Sequence, residues 1–271
     1  MSNDSRKNLQ GTDGQNVADL TTAAAAVNAA VEGATASFIG VTRGRSVVAI
    51  ETSRDEVRGR WEHLRAVGWQ LDGDDAALAL TALALAGWHA NYRFCPRCGS
   101  PVQMVSGGWA AQCETCDRLE YPRQDPAIIV LVQDHDGRVL LAHNALWRPG
   151  FVSIIAGYVE AGESPDVAVA REVSEEVGVE IETPTYVATQ PWPFGRSQMM
   201  GYRARTASPR PTPQADGVEI EWARFYSRDK LTRVLESGEI SAPGRASIAY
   251  ALLRDWYGGD LPSGPDGAGR N

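Results

Sequence analysis

Three carboxylates on one short segment are the first residues that could do chemistry. Glu172, Glu175 and Glu176 are spaced i, i+3 and i+4, so on a helix they fall within about 100° of arc. Like charges that close repel one another, and the neighbouring Arg171 relieves only part of the cost. Hard divalent cations such as Mg2+ or Mn2+ turn this repulsion into binding, because they prefer carboxylate oxygen. The bland alternative is a solvated acidic helix face.

The cysteines form the second group. Cys95, Cys98, Cys113 and Cys116 are all the chain contains, and they make two CxxC knuckles with 14 residues between them. Four thiolates close a tetrahedron around Zn2+ and leave no open coordination position, so the spacing predicts a structural zinc site. Gly99 suits the tight turn after the first knuckle. Disulfides fit poorly with a reducing compartment, and a redox CxxC needs no second matched pair.

The elements that must position these groups can be read around them. Ser164 can cap a helix, Pro165 occupies its first turn and Gly178 ends it. This predicts a helix over Pro165–Val177 with Val167, Ala170, Val173 and Val177 as its apolar stripe. Strands are predicted at Ala127–Gln133 and Val139–Ala142, joined by a turn at His135–Arg138, and at Tyr186–Thr189, Met199–Thr206 and Glu221–Tyr226. With a helix at Arg245–Trp256, they suggest an α/β sandwich.

Upstream, a strand at Ser46–Glu51 and helices at Ser53–Ala66 and Asp75–Ala90 make a small α/β unit. The predicted order is a disordered 1–15, an N-terminal α/β domain over 16–90, a zinc ribbon over 91–122, a larger α/β domain over 123–257 and a disordered tail over 258–271.

The 271 residues carry 26 Lys and Arg against 34 Asp and Glu, a net charge of −8, which disfavours a broad nucleic-acid clamp. No apolar run reaches the roughly 18 residues of a membrane span. The Ala-rich Val17–Val31 is broken by Asp19, Thr21, Thr22 and Asn28 and is not read as a signal peptide, so a cytoplasmic location is expected. No GxGxxG follows a strand, against a Rossmann dehydrogenase.

The segment from Gly157 to Val179 resembles the Nudix box, G-x5-E-x7-R-E-U-x-E-E-x-G-U with U a bulky aliphatic residue, at every fixed position. The matching residues are Gly157, Glu163, Arg171, Glu172, Val173, Glu175, Glu176, Gly178 and Val179. The resemblance implies a Nudix α/β/α sandwich and a hydrolase that uses Mg2+ or Mn2+ to activate water against a nucleoside diphosphate linkage. Glu172 and Glu176 then match the principal metal positions, Glu175 the third acidic position and favoured general base, and Glu163 the acid that orients Arg171. Gly157 lets the chain pass close to the metals, and the carbonyl of Ala156 and the carboxylate of Glu219 match further ligand positions.

Thr189-Gln190-Pro191-Trp192-Pro193-Phe194-Gly195-Arg196-Ser197 is similar to the SQPWPFPxS array of the NADH pyrophosphatase subgroup of Nudix hydrolases. Thr189 departs from Ser and Gly195 from Pro, the latter loosening the loop. A zinc ribbon before the box, the stretch Trp88–Gly99, Tyr121-Pro122-Arg123 and the strand around Glu221-Trp222-Ala223 resemble the same subgroup, with Trp222 replacing an acid. By that resemblance Trp192 and Tyr158 stack on a planar base of the dinucleotide. Tyr121, Gln190, Ser197 and Ala249 contribute further substrate contacts, beside a Pro191–Arg196 array that includes Pro193, Phe194 and Gly195.

The resemblance implies cleavage of NADH or NAD+ to the nicotinamide mononucleotide and AMP, by a homodimer whose array reaches the partner's site. The same bond at the 5′ end of NAD-capped RNA is the alternative, with Arg196, Arg203, Arg205 and Arg210 as local guides. The competing class is a noncatalytic zinc-ribbon binding module on a relic fold, against which the full acidic set weighs.

Overall fold

A central strand buried on both faces must be a continuous apolar run, and Ala127–Val132 is one. In the computed structural model of the chain, which describes residues 36–52, 59 and 61–264, this run lies in β6 (Asp125–Gln133). Ile128, Leu131 and Val130 there are fully buried. The expectations for Met1–Gln15, Val17–Val31, half of Ser53–Ala66 and 265–271 lie outside the described residues.

The described chain forms two compact units. The first contains the hairpin of β1 (Ala36–Thr42) and β2 (Arg45–Ile50), most of α1 (Gly73–Asn91), and a ribbon of β3 (Val102–Val105), β4 (Ala110–Cys113) and β5 (Leu119–Glu120). Arg43 and Gly44 both adopt positive φ at the β1–β2 turn, the backbone of a tight hairpin. The strand read at Ser46–Glu51 is β2, whereas β1 had no clear alternation and was not foreseen.

The second unit holds Glu62–Ala76 and the chain from Gln124 onward. Of the helix expected over Ser53–Ala66, the described part is helical only at the turn Leu64–Val67. The remaining strands are β7 (Val139–Asn144), β8 (Ile155–Tyr158), β9 (Thr185–Trp192), β10 (Ser197–Arg205) and β11 (Ile220–Tyr226). They form a mixed sheet in the order β11-β7-β6-β10-β9, with β8 also paired to β6. β6 and β10 run parallel and the other pairs antiparallel.

Helices cover both faces. On one face α2 (Pro165–Val177) packs Ala168, Val169, Val173 and Val177 against Ile128, Val130 and Leu140. On the other, α3 (Arg228–Glu236) and α4 (Ile248–Tyr257) pack Leu231, Leu235, Leu253 and Trp256 against Leu131, Val139 and Leu141. Each buried Val, Leu or Ile among them contributes roughly 1.5–3 kcal/mol by leaving water. This is the α/β/α sandwich.

Several expectations are corrected. α2 has the expected bounds, but Val167 is 58% exposed and Ala170 is exposed, so its buried stripe runs through Ala168, Val169, Val173 and Val177. Ser164 makes no side-chain cap bond, while Gly178 ends the helix at φ 63° as foreseen. α4 begins at Ile248, because Ser247 caps it by accepting from the amide of Tyr250. β9 extends through Gln190, Pro191 and Trp192, and Pro191 is tolerated because β9 is an edge strand. β8 and α3 were not foreseen, and the expected tail is packed as far as Leu261, which is 5% exposed. Among the described residues no helix is long and apolar enough to cross a membrane.

Candidate functional site

α2 turns an unusual face to the protein. Because 172 and 176 lie one turn apart on its inward side, Glu176 is only 6% exposed and Glu172 is half-buried, rather than lying on an open helix face. Nothing donates a hydrogen bond or positive charge to the Glu176 carboxylate among the described residues. Burial, with Glu219, Glu172, Asp216 and Glu175 around it, pushes its pKa up to about 8. Burial also raises the pKa of Glu172, against the pull of Arg171.

Arg171 organises the outer part of the cluster. Its Nε and Nη2 donate to the two oxygens of Glu163 at 2.8 and 2.9 Å, a bidentate pair that fixes the guanidinium plane. Its Nη1 reaches Glu172 at 2.8 Å and Glu175 at 3.0 Å, and Nη2 also donates to the carbonyl of Tyr158 at 2.9 Å. The Arg171 guanidinium, helped by the Glu160 amide, holds the Glu163 carboxyl at a pKa of about 2.

Gly157 in β8 completes the contact, since a Cβ there would stand 2.0 Å from Cδ of Glu172. Ala156, its neighbour, is paired with Ile129 of β6. Glu219 lies just before β11, where Asn144 donates to its carboxylate at 3.2 Å. Asp216, which the sequence did not single out, accepts from the amides of Ile220, Val218 and Glu219, and these bonds lower its pKa. A buried, unpartnered carboxylate, four further acids around it and a glycine cradle against Glu172 fit a divalent cation held by oxygen.

The cysteines converge. Their sulfurs all lie within 4.8 Å of one another, with Cys95–Cys116 and Cys98–Cys116 at 3.7 Å. A tetrahedron of Zn–S bonds has edges of about 3.8 Å. Gly99 takes φ 76° after the first knuckle, as its position suggested.

A cavity of about 580 Å3 opens between β9, β10 and the start of α4. Trp147, Phe151 and Trp192 line it together with Ala249, and Arg65 and Arg148 supply its charge. Gln190 also lines it, but its side-chain amide is already engaged: Nε2 donates to the carbonyl of Ala246 at 2.8 Å and Oε1 accepts from the amide of Ile248 at 2.7 Å. Gln190 therefore holds the start of α4. A primary amide has a second N–H and a second acceptor lone pair, so these two bonds leave a polar contact to a substrate open.

Pro193, Phe194, Gly195 and Arg196 form the β9–β10 turn. Arg196, not Gly195, takes the left-handed conformation, at φ 65°. A Cβ on Gly195 would meet nothing closer than 3.8 Å. The hydroxyls of Tyr158 and Ser197 lie 3.3 Å apart, and Trp192 meets Phe194 edge to face at 4.8 Å. Tyr121 is 58% exposed and belongs to the first unit.

Of the expected guide arginines, Arg196 pairs with Asp125, Arg203 with Asp255 and Arg210 with Asp136, while Arg205 at the end of β10 forms no ion pair among the described residues. Arg65, Trp147, Arg148 and Phe151 were missed, because only the tertiary fold brings them to Trp192.

Comparison with known proteins bears on this arrangement. Residues 123–244 match the NUDIX domain, and residues 90–121 match the NADH pyrophosphatase zinc ribbon domain. The chain is 36% identical over 235 residues to the "NAD-capped RNA hydrolase NudC" of Mycobacterium bovis, covering 82% of this chain and 75% of that protein. It is 41% identical over 204 residues to the protein of the same name from Stutzerimonas stutzeri, covering 75% and 70%. It is 37% identical over 199 residues to human "NAD-capped RNA hydrolase NUDT12", covering 69% of this chain and 43% of the human protein.

Proposed function

Since the chain belongs to the Nudix hydrolase family and carries that family's NADH pyrophosphatase zinc ribbon, we propose that it hydrolyses the diphosphate of NADH and NAD+, giving the nicotinamide mononucleotide and AMP. The observation that carries this reading is the inward pair Glu172 and Glu176 beside Gly157, a carboxylate site built where no side chain could intrude.

Glu172 and Glu176, with Glu219 and the Ala156 carbonyl, would hold Mg2+ or Mn2+. When bound, such an ion neutralises phosphate charge and lowers the pKa of water. Glu175, 62% exposed at its side chain, is the group free enough to take a proton from water, once it leaves Arg171. Glu163 and Arg171 hold the loop before α2 to the helix, and thereby the Tyr158 backbone. The cavity at Trp192 and Ala249 receives a planar base, with Tyr158, Ser197 and Phe194 as further contacts. Cys95, Cys98, Cys113 and Cys116 hold one structural Zn2+ per chain.

Decapping of NAD-capped RNA is the second reading, favoured by the names of the relatives. It breaks the same bond. A homodimer in the cytoplasm is part of the proposal, supported by the subgroup resemblance and by four thiols outside any disulfide.

Turnover of NADH, NAD+, ADP-ribose and NAD-capped RNA, each with Mg2+ and with Mn2+, tests it. Release of nicotinamide mononucleotide and AMP is expected. A protein that cleaves ADP-ribose as well as it cleaves NADH would remove the dinucleotide assignment.

A further inference from the structure

In a chain of net charge −8, the cavity at Trp192 is lined by two arginines, Arg65 and Arg148, and by no Asp or Glu. Neither guanidinium forms an ion pair with a carboxylate among the described residues, unlike Arg196, Arg203 and Arg210. Arg148 donates to the hydroxyl of Ser241 at 3.4 Å, while Arg65 lies 4.5 Å from the Phe194 ring centroid and 5.5 Å from that of Trp192.

The two redox states of the substrate differ at one place. Oxidised nicotinamide is a pyridinium cation, whereas the reduced ring is neutral, and the rest of the dinucleotide is the same. A cation entering this cavity meets two positive charges that no lining carboxylate offsets. Because both guanidiniums are exposed to solvent, the repulsion is partly screened and selects between the two forms without excluding either. The cation also stacks on a Trp192 ring that already has the Arg65 guanidinium 5.5 Å from its centroid, so a second cation gains less there.

We propose that Arg65, seconded by Arg148, sets the preference of this site for the reduced dinucleotide by repelling the pyridinium ring. The inference rests on the dinucleotide reading above and adds to it a residue that selects between the two forms. An NAD-capped 5′ end, which carries the same pyridinium, meets the same penalty at this cavity.

The test compares kcat/KM for NADH and NAD+ in the wild type, Arg65→Ala, Arg65→Lys and Arg148→Ala, whatever happens to absolute rates. The wild type should favour NADH, and the NADH to NAD+ ratio should fall about tenfold in Arg65→Ala. Arg65→Lys keeps the charge without the flat guanidinium and should retain most of the ratio, while Arg148→Ala lowers it less. Calorimetric binding of oxidised and reduced nicotinamide mononucleotide should follow the same order without turnover. A ratio unchanged in both alanine variants, or equal binding of the two mononucleotides throughout, overturns the proposal. Absence of turnover on every dinucleotide would instead overturn the hydrolase reading, and mononucleotide binding would still decide the charge preference.

Discussion

The Cα of Gly157 faces the carboxylate of Glu172 so closely that a Cβ on the glycine would lie 2.0 Å from Glu172 Cδ. The intruded group is the end of a flexible side chain, so the fold can absorb a methyl group by moving it. The position of that carboxylate cannot survive the move. Gly157→Ala should therefore lower kcat/KM for NADH by about a hundredfold, the cost of a displacement near 1 Å at a reacting site. Thermal unfolding should shift little, and a variant with near-wild-type turnover would show that Glu172 does not act from this place.

Glu176 is buried among like charges, and its pKa of about 8 gives stability a definite pH slope. In protein freed of Mg2+ and Mn2+ but retaining zinc, the folded state holds this proton more tightly than the unfolded chain. The associated stability is full below the ordinary carboxyl pKa of about 4.5 and is lost as pH rises through about 8. Glu176→Gln, neutral and of equal shape, should flatten that slope in melting curves taken across this range. It should also cut turnover by at least about a hundredfold, because an amide is a poor ligand for a hard cation. An unaltered slope would mean that Glu176 ionises normally.

The thiols of the ribbon sit at separations that suit a tetrahedral ion. Purified protein should contain one zinc per chain by elemental analysis, and Cys113→Ala, which removes a buried ligand, should contain none. Its melting temperature should fall well below that of the wild type, because zinc binding energy is folding energy in so small a ribbon. Full zinc occupancy in the variant would rule out the four-thiolate site.

Gln190 lines the cavity and also bonds Ala246 and Ile248, so it can act on the substrate through the start of α4, where Ala249 lines the cavity. Gln190→Ala leaves a carbonyl and an amide without that partner and should cost about 1–3 kcal/mol of stability. Gln190→Glu keeps the acceptor for Ile248 but loses the donor to Ala246, and should fall between the two. KM should rise in parallel with the loss of stability. A raised KM with unchanged stability in both variants would restore a direct substrate contact.

Legibility in the sequence followed the range of the interactions. The bounds of α2 were readable because Pro165 and Gly178 act locally, and β6 because a twice-buried strand needs only apolar residues. The inward face of α2 was misread because the apolar stripe was drawn through Val167 and Ala170, whereas Ala168 and Val169 are buried and Glu176 shares the core side with Val173. α3 carried a readable signal, Ser227 as cap and an apolar spacing of Leu231, Val234 and Leu235, which was passed over. Arg65 and Gln190 had no local signal, since each acts on residues more than 50 positions away.

Trp192 offers the cleanest separation of the two ends of the dinucleotide. It closes β9, pairs in register with Ser197 of β10, and presents its ring to the cavity beside Phe194. If the nicotinamide stacks there, removing the indole costs NADH a stacking contact worth about 1–3 kcal/mol, a factor of roughly 5 to 150. ADP-ribose has the same diphosphate and adenosine but no nicotinamide, and should lose far less. Trp192→Ala should thus raise KM for NADH much more than for ADP-ribose, with kcat on both close to wild type because the carboxylates of α2 are untouched. Equal increases in KM would place the adenine at Trp192, and a fall in kcat alone would mean that the ring positions the diphosphate instead of the base.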